Sequence, residues 1–440
     1  MEKELILEIL LDYSPFWKRL EYWINREYYT NQIKQHIWSK LIKVLVWFRR
    51  SWKSYIFRYL IDYLITKLKV NINNILFINL EDDRLFWNRN IETLRLIYET
   101  YIEKISPKWK IYLFLDEIQL IDWWESFIRT LYEQNSNIEI YLTGSNSDLL
   151  SSEISSSLSW RSMEFKIYPL DFKEYLVFNN LEIKSSLDLI KNKIKVNSLF
   201  DRYMKFWWLP EVLELKNDEQ IRGYLKGIFT KIVIDDIVKR FNIRNIELIE
   251  LLNKYLITNI WWILSYKSIE NALKSYWYNL SHITLLDYID SIKKWFILFD
   301  LNKFDFKIKT IFNNFKKYYA LDLGIREVEK INFDNDLSKK LENLVFLKLL
   351  KEEKKVFYGQ DENKKEIDFI VQNDESFDLY QVISNLNIEN EARELWNFVI
   401  SNKYIKWNNY IVTMDKTELI EYKGISIKKI NILEWLLGIY

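Results

Sequence analysis

Short apolar runs alternate with stretches of helical period through the first 170 or so residues. Ile42-Lys43-Val44-Leu45-Val46 is rich in β-branched residues and reads as a buried strand, with a helical pattern following over 53–69. Ile75-Leu76-Phe77-Ile78-Asn79 predicts a second strand and 91–105 a helix. A third strand over 110–115 runs into Asp116-Glu117, and a helix is expected over about 123–134. A fourth strand over 138–143 ends in Gly144-Ser145-Asn146, and 163–168 suits a fifth. Residues 1–35 read as amphipathic helices leading into this core. Strands alternating with helices point to an α/β fold, a mostly parallel sheet with helices on both faces.

Behind this core the pattern changes. From 171 to 295 it is mostly helical, and 248–295 carries three short amphipathic helices. Alternating apolar stretches follow at 296–299 and 303–312, so three helices and a hairpin predict a winged-helix unit. From 337 a helix (338–353), strands near 355–358, 366–371 and 377–383, a helix (389–401) and a strand near 409–413 predict a separate small α/β unit. The expected domains are 1–175, 176–330 and 331–440.

Composition bounds the chemistry. Apolar residues make up 49% and charged residues 28%, which is the balance of a globular chain. The net charge of +1 gives no global pull toward nucleic acid or acidic lipid. The chain has no Cys and only two His, His36 and His282, which excludes thiolate metal sites and weakens a zinc-hydrolase reading. No signal-peptide pattern opens the chain and no apolar run approaches the roughly 18 residues of a membrane helix, so a cytoplasmic protein without a membrane partner is expected.

The 7 Gly and 19 Trp are anomalous, because average usage would give about 31 Gly. Ile, Lys and Asn dominate, as an AT-rich genome would favour, and such a genome should use the single Trp codon rarely. Many Trp stand where the backbone wants Gly, as at Trp47 and Trp52 and in the pairs Trp123-Trp124, Trp207-Trp208 and Trp261-Trp262. The expectation is that UGA encodes Gly in the source organism and is rendered here as Trp. Trp435, inside the apolar run 432–437, reads as genuine.

Read with glycine at 47 and 52, the segment Trp47-Phe48-Arg49-Arg50-Ser51-Trp52-Lys53-Ser54, followed by Tyr55, is a phosphate-binding loop between the first strand and its helix. Glycines let main-chain N–H groups approach phosphate oxygens, and the helix N-terminus adds its positive dipole end. Lys53 would reach the β- and γ-phosphates of ATP, and the Ser54 hydroxyl would ligate Mg²⁺. With literal Trp the same segment is a basic strand–helix turn with no ligand. Asp116 and Glu117 close an apolar strand as a Walker B pair, Asp116 holding Mg²⁺ and Glu117 orienting and deprotonating water. Thr143-Gly144-Ser145-Asn146 supplies a polar sensor at the next strand end, and Arg161 is a candidate for stabilising transition-state charge within or across subunits.

Together these residues resemble a widespread prokaryotic AAA-type ATPase family that carries a C-terminal domain of unknown function. The motifs are Trp47 to Ser54, Leu115 to Gln119, Thr143 to Asn146, Leu158 to Arg161, Tyr203 to Pro210, Tyr318 to Gly324 and Leu341 to Val345. The departures fall mainly at glycine positions, each filled by Trp. The resemblance implies a P-loop core that binds ATP. Glu342, Glu366, Asp368 and Gln381 resemble the layout of PD-(D/E)xK nucleases. That chemistry needs carboxylates to hold Mg²⁺ and a lysine to polarise the water, and Gln381-Val382-Ile383 has neither acid nor lysine, so a nuclease-like fold that has lost cleavage is expected.

Lys267, Lys274, Lys293, Lys294, Lys303, Lys307 and Lys309 in the winged-helix candidate make DNA a second candidate partner beside the nucleotide. The sequence leaves the oligomeric state open. Two readings therefore stand: an Mg²⁺-dependent ATPase switch, or a DNA-binding or protein-interaction module with a degenerate nucleotide site.

Overall fold

A computed structural model describes the chain except for residues 1, 14–23, 47–50, 146–157, 159, 207–208, 239–242, 244, 296, 305–314, 331–336, 361–364, 375 and 402–406. By its contacts the chain divides into two units, Met1–Pro169 and Leu170–Tyr440.

The first unit holds strands β1 (Ile42–Val46), β2 (Ile75–Asn79), β3 (Ile111–Asp116), β4 (Ile138–Gly144) and β5 (Ser162–Lys166). They form one parallel sheet in the order β2-β3-β4-β1-β5. Helices α1 (Lys3–Tyr13), α2 (Glu27–Lys34), α3 (Lys53–Thr66), α4 (Ile91–Ile105) and α5 (Trp124–Gln134) flank it. Every residue of β1, β3 and β4 is buried. A parallel strand covered by helices on both faces has no solvent side, so its sequence is a continuous apolar run rather than an alternation. One face packs Leu113, Leu115, Ile140 and Leu142 against Leu94, Ile97, Trp124 and Ile128. On the other, Phe114 stacks on Tyr141 with ring centres 4.3 Å apart, and Phe57 meets Phe114 edge-on at 5.1 Å.

The second unit begins with helices α6 (Phe172–Phe178), α7 (Ser186–Lys191), α8 (Lys193–Phe206) and α9 (Asp218–Lys231). Helices α10 (Ile246–Thr258), α11 (Tyr266–Ser275) and α12 (His282–Lys294) follow. A three-stranded antiparallel sheet comes next, β6 (Ile263–Ser265), β8 (Phe315–Ala320) and β7 (Leu298–Asn302), with β8 in the middle. Helices α13 (Leu323–Glu329) and α14 (Leu337–Lys351) lead to a six-stranded mixed sheet. Its strands are β9 (Lys355–Gln360), β10 (Glu366–Gln372), β11 (Phe377–Val382), β12 (Asn408–Thr413), β13 (Glu418–Tyr422) and β14 (Ile425–Asn431), in the order β13-β14-β12-β11-β10-β9. Helices α15 (Ile388–Ser401) and α16 (Ile432–Leu437) belong to the same region. Among the described residues no helix is long and apolar enough to cross a membrane.

Of the lysines singled out for DNA, Lys274 pairs with Glu270 at 2.8 Å and Lys293 with Asp300 at 3.0 Å. Lys307 and Lys309 lie outside the described residues. The paired lysines have their charge answered locally, which reduces what they offer a phosphate backbone.

Candidate functional site

The site begins at the end of β1. Trp47, Phe48, Arg49 and Arg50 lie outside the described residues, and the chain is described again from Ser51, whose side chain is fully buried. Trp52 caps α3 with φ 63° and ψ 34°, in the left-handed region. The Trp52 side chain makes no capping hydrogen bond there, and the first turn of a helix carries N–H groups and the positive end of the helix dipole. Lys53 is the first helical residue and Ser54 the second, with Tyr55 behind them.

Strand order decides what faces this helix end. In a parallel sheet all carboxyl ends lie along one edge, where ligands of open α/β sheets bind. Because β4 sits between β1 and β3, the residues at the carboxyl end of β4 stand between the loop and the acids that end β3. Thr143 does so directly. Its hydroxyl donates to Asp116 Oδ1 and accepts the Glu117 N–H at 2.9 Å, fixing both acids to β4.

Asp116 is buried, and its Oδ2 has no hydrogen-bond partner among the described residues. Burial, with the Glu117 charge beside it, pushes this carboxyl up to about 6; hydrogen bonds from Ser54 and Thr143 and the Lys53 ammonium oppose the rise. A buried carboxylate oxygen left open, next to a serine hydroxyl, is the donor set that a hard divalent cation such as Mg²⁺ takes. Protonated Asp116 loses that capacity. Mn²⁺ affinity at this carboxylate is therefore expected to fall about tenfold between pH 7 and pH 5, measured by electron paramagnetic resonance. A flat profile would mean that Asp116 does not ligate a cation.

Glu117 is held at φ 58°, a strained setting for a residue with a Cβ. Its carboxylate accepts from Gln119 Nε2 at 2.5 Å, and the same amide reaches Ser145 Oγ at 3.1 Å. Gln119 thus aims the acid and ties it to the end of β4. The sequence offered Gln119 only as part of a motif, with no role. Arg26 was missed altogether. It is 3% exposed, donates to Ser51 O at 3.0 Å and Pro169 O at 3.1 Å, and so props the loop from the N-terminal segment. Only its distance in sequence hid it, since nothing local marks Arg26. A hollow beside the loop is lined by Asn25, Arg26, Thr30, Trp52, Tyr55 and Tyr59.

Two further candidates remain. Asn146 lies outside the described residues. Arg161 precedes β5, and its carbonyl accepts the N–H of Ile42 at the start of β1. It is therefore at the opposite edge of the sheet from the loop, about 16 Å away over five strand residues. There its guanidinium donates to Glu133 at 2.7 Å and stacks on Trp160. The structure does not bring Arg161 to the site of its own chain.

Residues 39–176 match the family described as AAA domain, and residues 197–334 match a domain of unknown function (DUF8612). The uncharacterized protein MJ1544 of Methanocaldococcus jannaschii is 31% identical over 439 residues, which cover 98% of this chain and 92% of that protein. An uncharacterized protein of Haemophilus influenzae is 31% identical over 417 residues, covering 94% and 98%. Among solved structures, the Walker-type ATPase PABY2304 of Pyrococcus abyssi aligns over 69% of this chain and 95% of its own with a TM-score of 0.43 and 14% identity. AMPPCP-bound DnaA from Aquifex aeolicus aligns over 62% and 92% with a TM-score of 0.27 and 13% identity.

Proposed function

The chain belongs to the AAA-type P-loop family that includes these Methanocaldococcus jannaschii and Haemophilus influenzae proteins, and we propose that it binds ATP with Mg²⁺ and hydrolyses it as an ATP-driven switch. One observation carries this reading: Lys53 and Ser54, Asp116 and Glu117, and Thr143 lie at the carboxyl ends of strands or the helix start beside them, along one sheet edge. In this reading the N–H groups at the start of α3 and the Lys53 ammonium bind the phosphates. Ser54 and Asp116 would hold Mg²⁺, which when bound neutralises phosphate charge. Glu117, steered by Gln119, orients the attacking water and accepts its proton.

We read positions 47 and 52 as glycine positions. Among the described residues, twelve non-glycine residues have positive φ, and six of them are Trp: 38, 52, 109, 123, 261 and 277. Trp supplies only 19 of the 440 residues. A bulky side chain costs about 1–2 kcal/mol in that conformation and glycine almost nothing. A UGA codon meaning glycine accounts for the coincidence.

The test is hydrolysis by the chain carrying Trp47→Gly and Trp52→Gly. Mg²⁺-dependent release of phosphate from ATP is expected, falling at least tenfold, about 1.4 kcal/mol in barrier, with Lys53→Ala added. If that double-glycine chain binds no ATP under Mg²⁺, the proposal fails. The alternative, a DNA-binding module with a degenerate nucleotide site, draws on the three helices α10–α12 and the antiparallel β7–β8 pair, whose winged-helix character is part of that reading. Its lysines at 274 and 293 are engaged by acids, and we rank it second.

A further inference from the structure

Residues 177–196 lie between the two family matches and belong to neither. They carry α7 and the start of α8, which continue as one helical path. The Asn192 N–H donates to Asp188 O at 3.0 Å and the Val196 N–H to Asn192 O at 2.9 Å, so bonding of helical spacing crosses the joint. The inward side of this path is Leu189, Val196, Phe200 and Tyr203, all buried. At about 3.6 residues per turn, positions 187, 190 and 194 fall on the opposite side. Polar residues belong there, yet the chain places Leu187, Ile190 and Ile194, which are 58%, 70% and 89% exposed. A single exposed aliphatic side chain is ordinary. A row of three, turned away from the core, marks a surface that meets something apolar.

Lys191, Lys195 and Arg202 are spaced to form a second row along the flank of the first, and all three are exposed, as are Lys184 and Lys193. Between 184 and 202 five basic residues stand against two acidic ones, Asp188 and Asp201, in a chain whose net charge is only +1. Asp188 is engaged locally, its carboxylate accepting from Ser185 Oγ at 2.8 Å and from the Lys184 N–H at 3.2 Å. Three features select the partner. The basic row calls for an anionic one. Aliphatic side chains with no aromatic among them offer no stack to a nucleic-acid base and enter hydrocarbon instead. Lys193 and Lys195, exposed on either side of Ile194, leave no groove for a peptide, whereas a lipid surface receives a convex helix lying flat on it.

We propose that α7 and the first turns of α8 form a docking face for an anionic membrane surface. Leu187, Ile190 and Ile194 enter the acyl boundary while Lys191, Lys195 and Arg202 meet lipid phosphates. The contact is peripheral, and no helix among the described residues is long and apolar enough to cross the bilayer. The charge of the whole chain gives no sign of this face because the attraction is local.

Flotation of the full chain with vesicles tests this. Binding is expected to vesicles of phosphatidylglycerol and phosphatidylcholine in equal parts, and not to phosphatidylcholine alone. Ile190→Ser/Ile194→Ser and Lys191→Gln/Lys195→Gln, all at exposed positions, should each weaken that binding about tenfold or more. The chain has no Cys, so Ile194→Cys gives one attachment point for a polarity-sensitive fluorophore. Its emission should shift to the blue on the anionic vesicles, and the same label on Ser275→Cys, at an exposed position of α11, should stay unchanged. The label reads insertion even where a paired variant fails to fold. Absence of binding to the anionic vesicles overturns the proposal, as does a label at 194 that stays in water while the chain is bound. Binding that follows the lysine pair but ignores the isoleucine pair also overturns it, because any phosphate surface, nucleic acid included, would then suffice.

Discussion

Glycine at positions 109, 123 and 277 is expected to stabilise the protein by about 1 kcal/mol per site, close to 3 kcal/mol together. The three Trp sit at φ 73°, 62° and 67° and are 90%, 77% and 95% exposed. Exposure decides the sign. An indole in solvent loses almost no packing when removed, so relief of the left-handed strain, about 1–2 kcal/mol, outweighs glycine's extra chain entropy of about 0.5–1 kcal/mol. Trp435 is the counter-test. It is buried in α16, stacks edge-on with Tyr380 at 6.1 Å and lies under the Lys348 ammonium. Trp435→Gly is expected to cost at least 3 kcal/mol through the lost packing alone. Urea unfolding of the four single variants separates the two classes. If any of the three exposed sites loses stability on becoming glycine, the reading of these Trp as glycine positions loses its physical basis, and positions 47 and 52 lose theirs with it.

Much of the first unit was legible because its physics is local. The runs at 42–46, 75–79, 111–116 and 138–144 are buried along almost their whole length, so apolar content alone marks them, and a basic loop or a pair of acids at a strand end is visible in the letters. Strand order was not. That β4 lies between β1 and β3, so that Thr143 bridges Asp116 and Glu117, depends on contacts between residues some 30 apart. The same limit hid Arg26 under the loop and Lys317 among the acids Glu342, Glu366 and Asp368, and it hid that Arg161 lies at the other end of the sheet from the loop of its own chain. In the second unit the sequence passed over β13 and β14. β13 is an edge strand reading Glu-Leu-Ile-Glu-Tyr, mostly exposed, with no buried face to set an alternation. Its signal lay in the turn, where Lys423 and Gly424 both take positive φ, at 49° and 79°. That is the pattern of a tight two-residue hairpin, which a lone glycine in a glycine-poor chain was there to announce.

The largest single loss of stability in the first unit is expected at Glu139, on β4 at the end of the sheet away from the loop. Its carboxylate pairs with Lys43 at 2.8 Å, both side chains being fully buried, and with Lys110 at 2.6 Å. It also accepts from the Tyr141 hydroxyl at 2.7 Å and from the Trp38 N–H at 3.0 Å. Burial alone would raise this carboxyl, but the Lys43 charge and the hydrogen bonds from Lys110, Lys43 and Tyr141 hold it below the usual 4.5. Its contribution is therefore present above pH 4.5 and is lost as the pH falls through that lower value. Burial in turn holds the Lys43 ammonium below its ordinary range, with Glu139 opposing. Glu139→Ala leaves that ammonium buried on β1 with, among the described residues, the Ser39 carbonyl at 3.0 Å and the Tyr141 ring at 5.1 Å, which should cost about 3–5 kcal/mol. Lys43→Met alone should cost less, since Glu139 keeps Lys110, Tyr141 and the Trp38 amide. Adding Lys43→Met to Glu139→Ala should return part of the loss, because the stranded charge goes with it. Strict additivity of the two single changes in chemical unfolding would mean that the pair does not couple β1 to β4. Strand β1 would then be held in register by its main-chain ladders to β4 and β5 and by apolar packing.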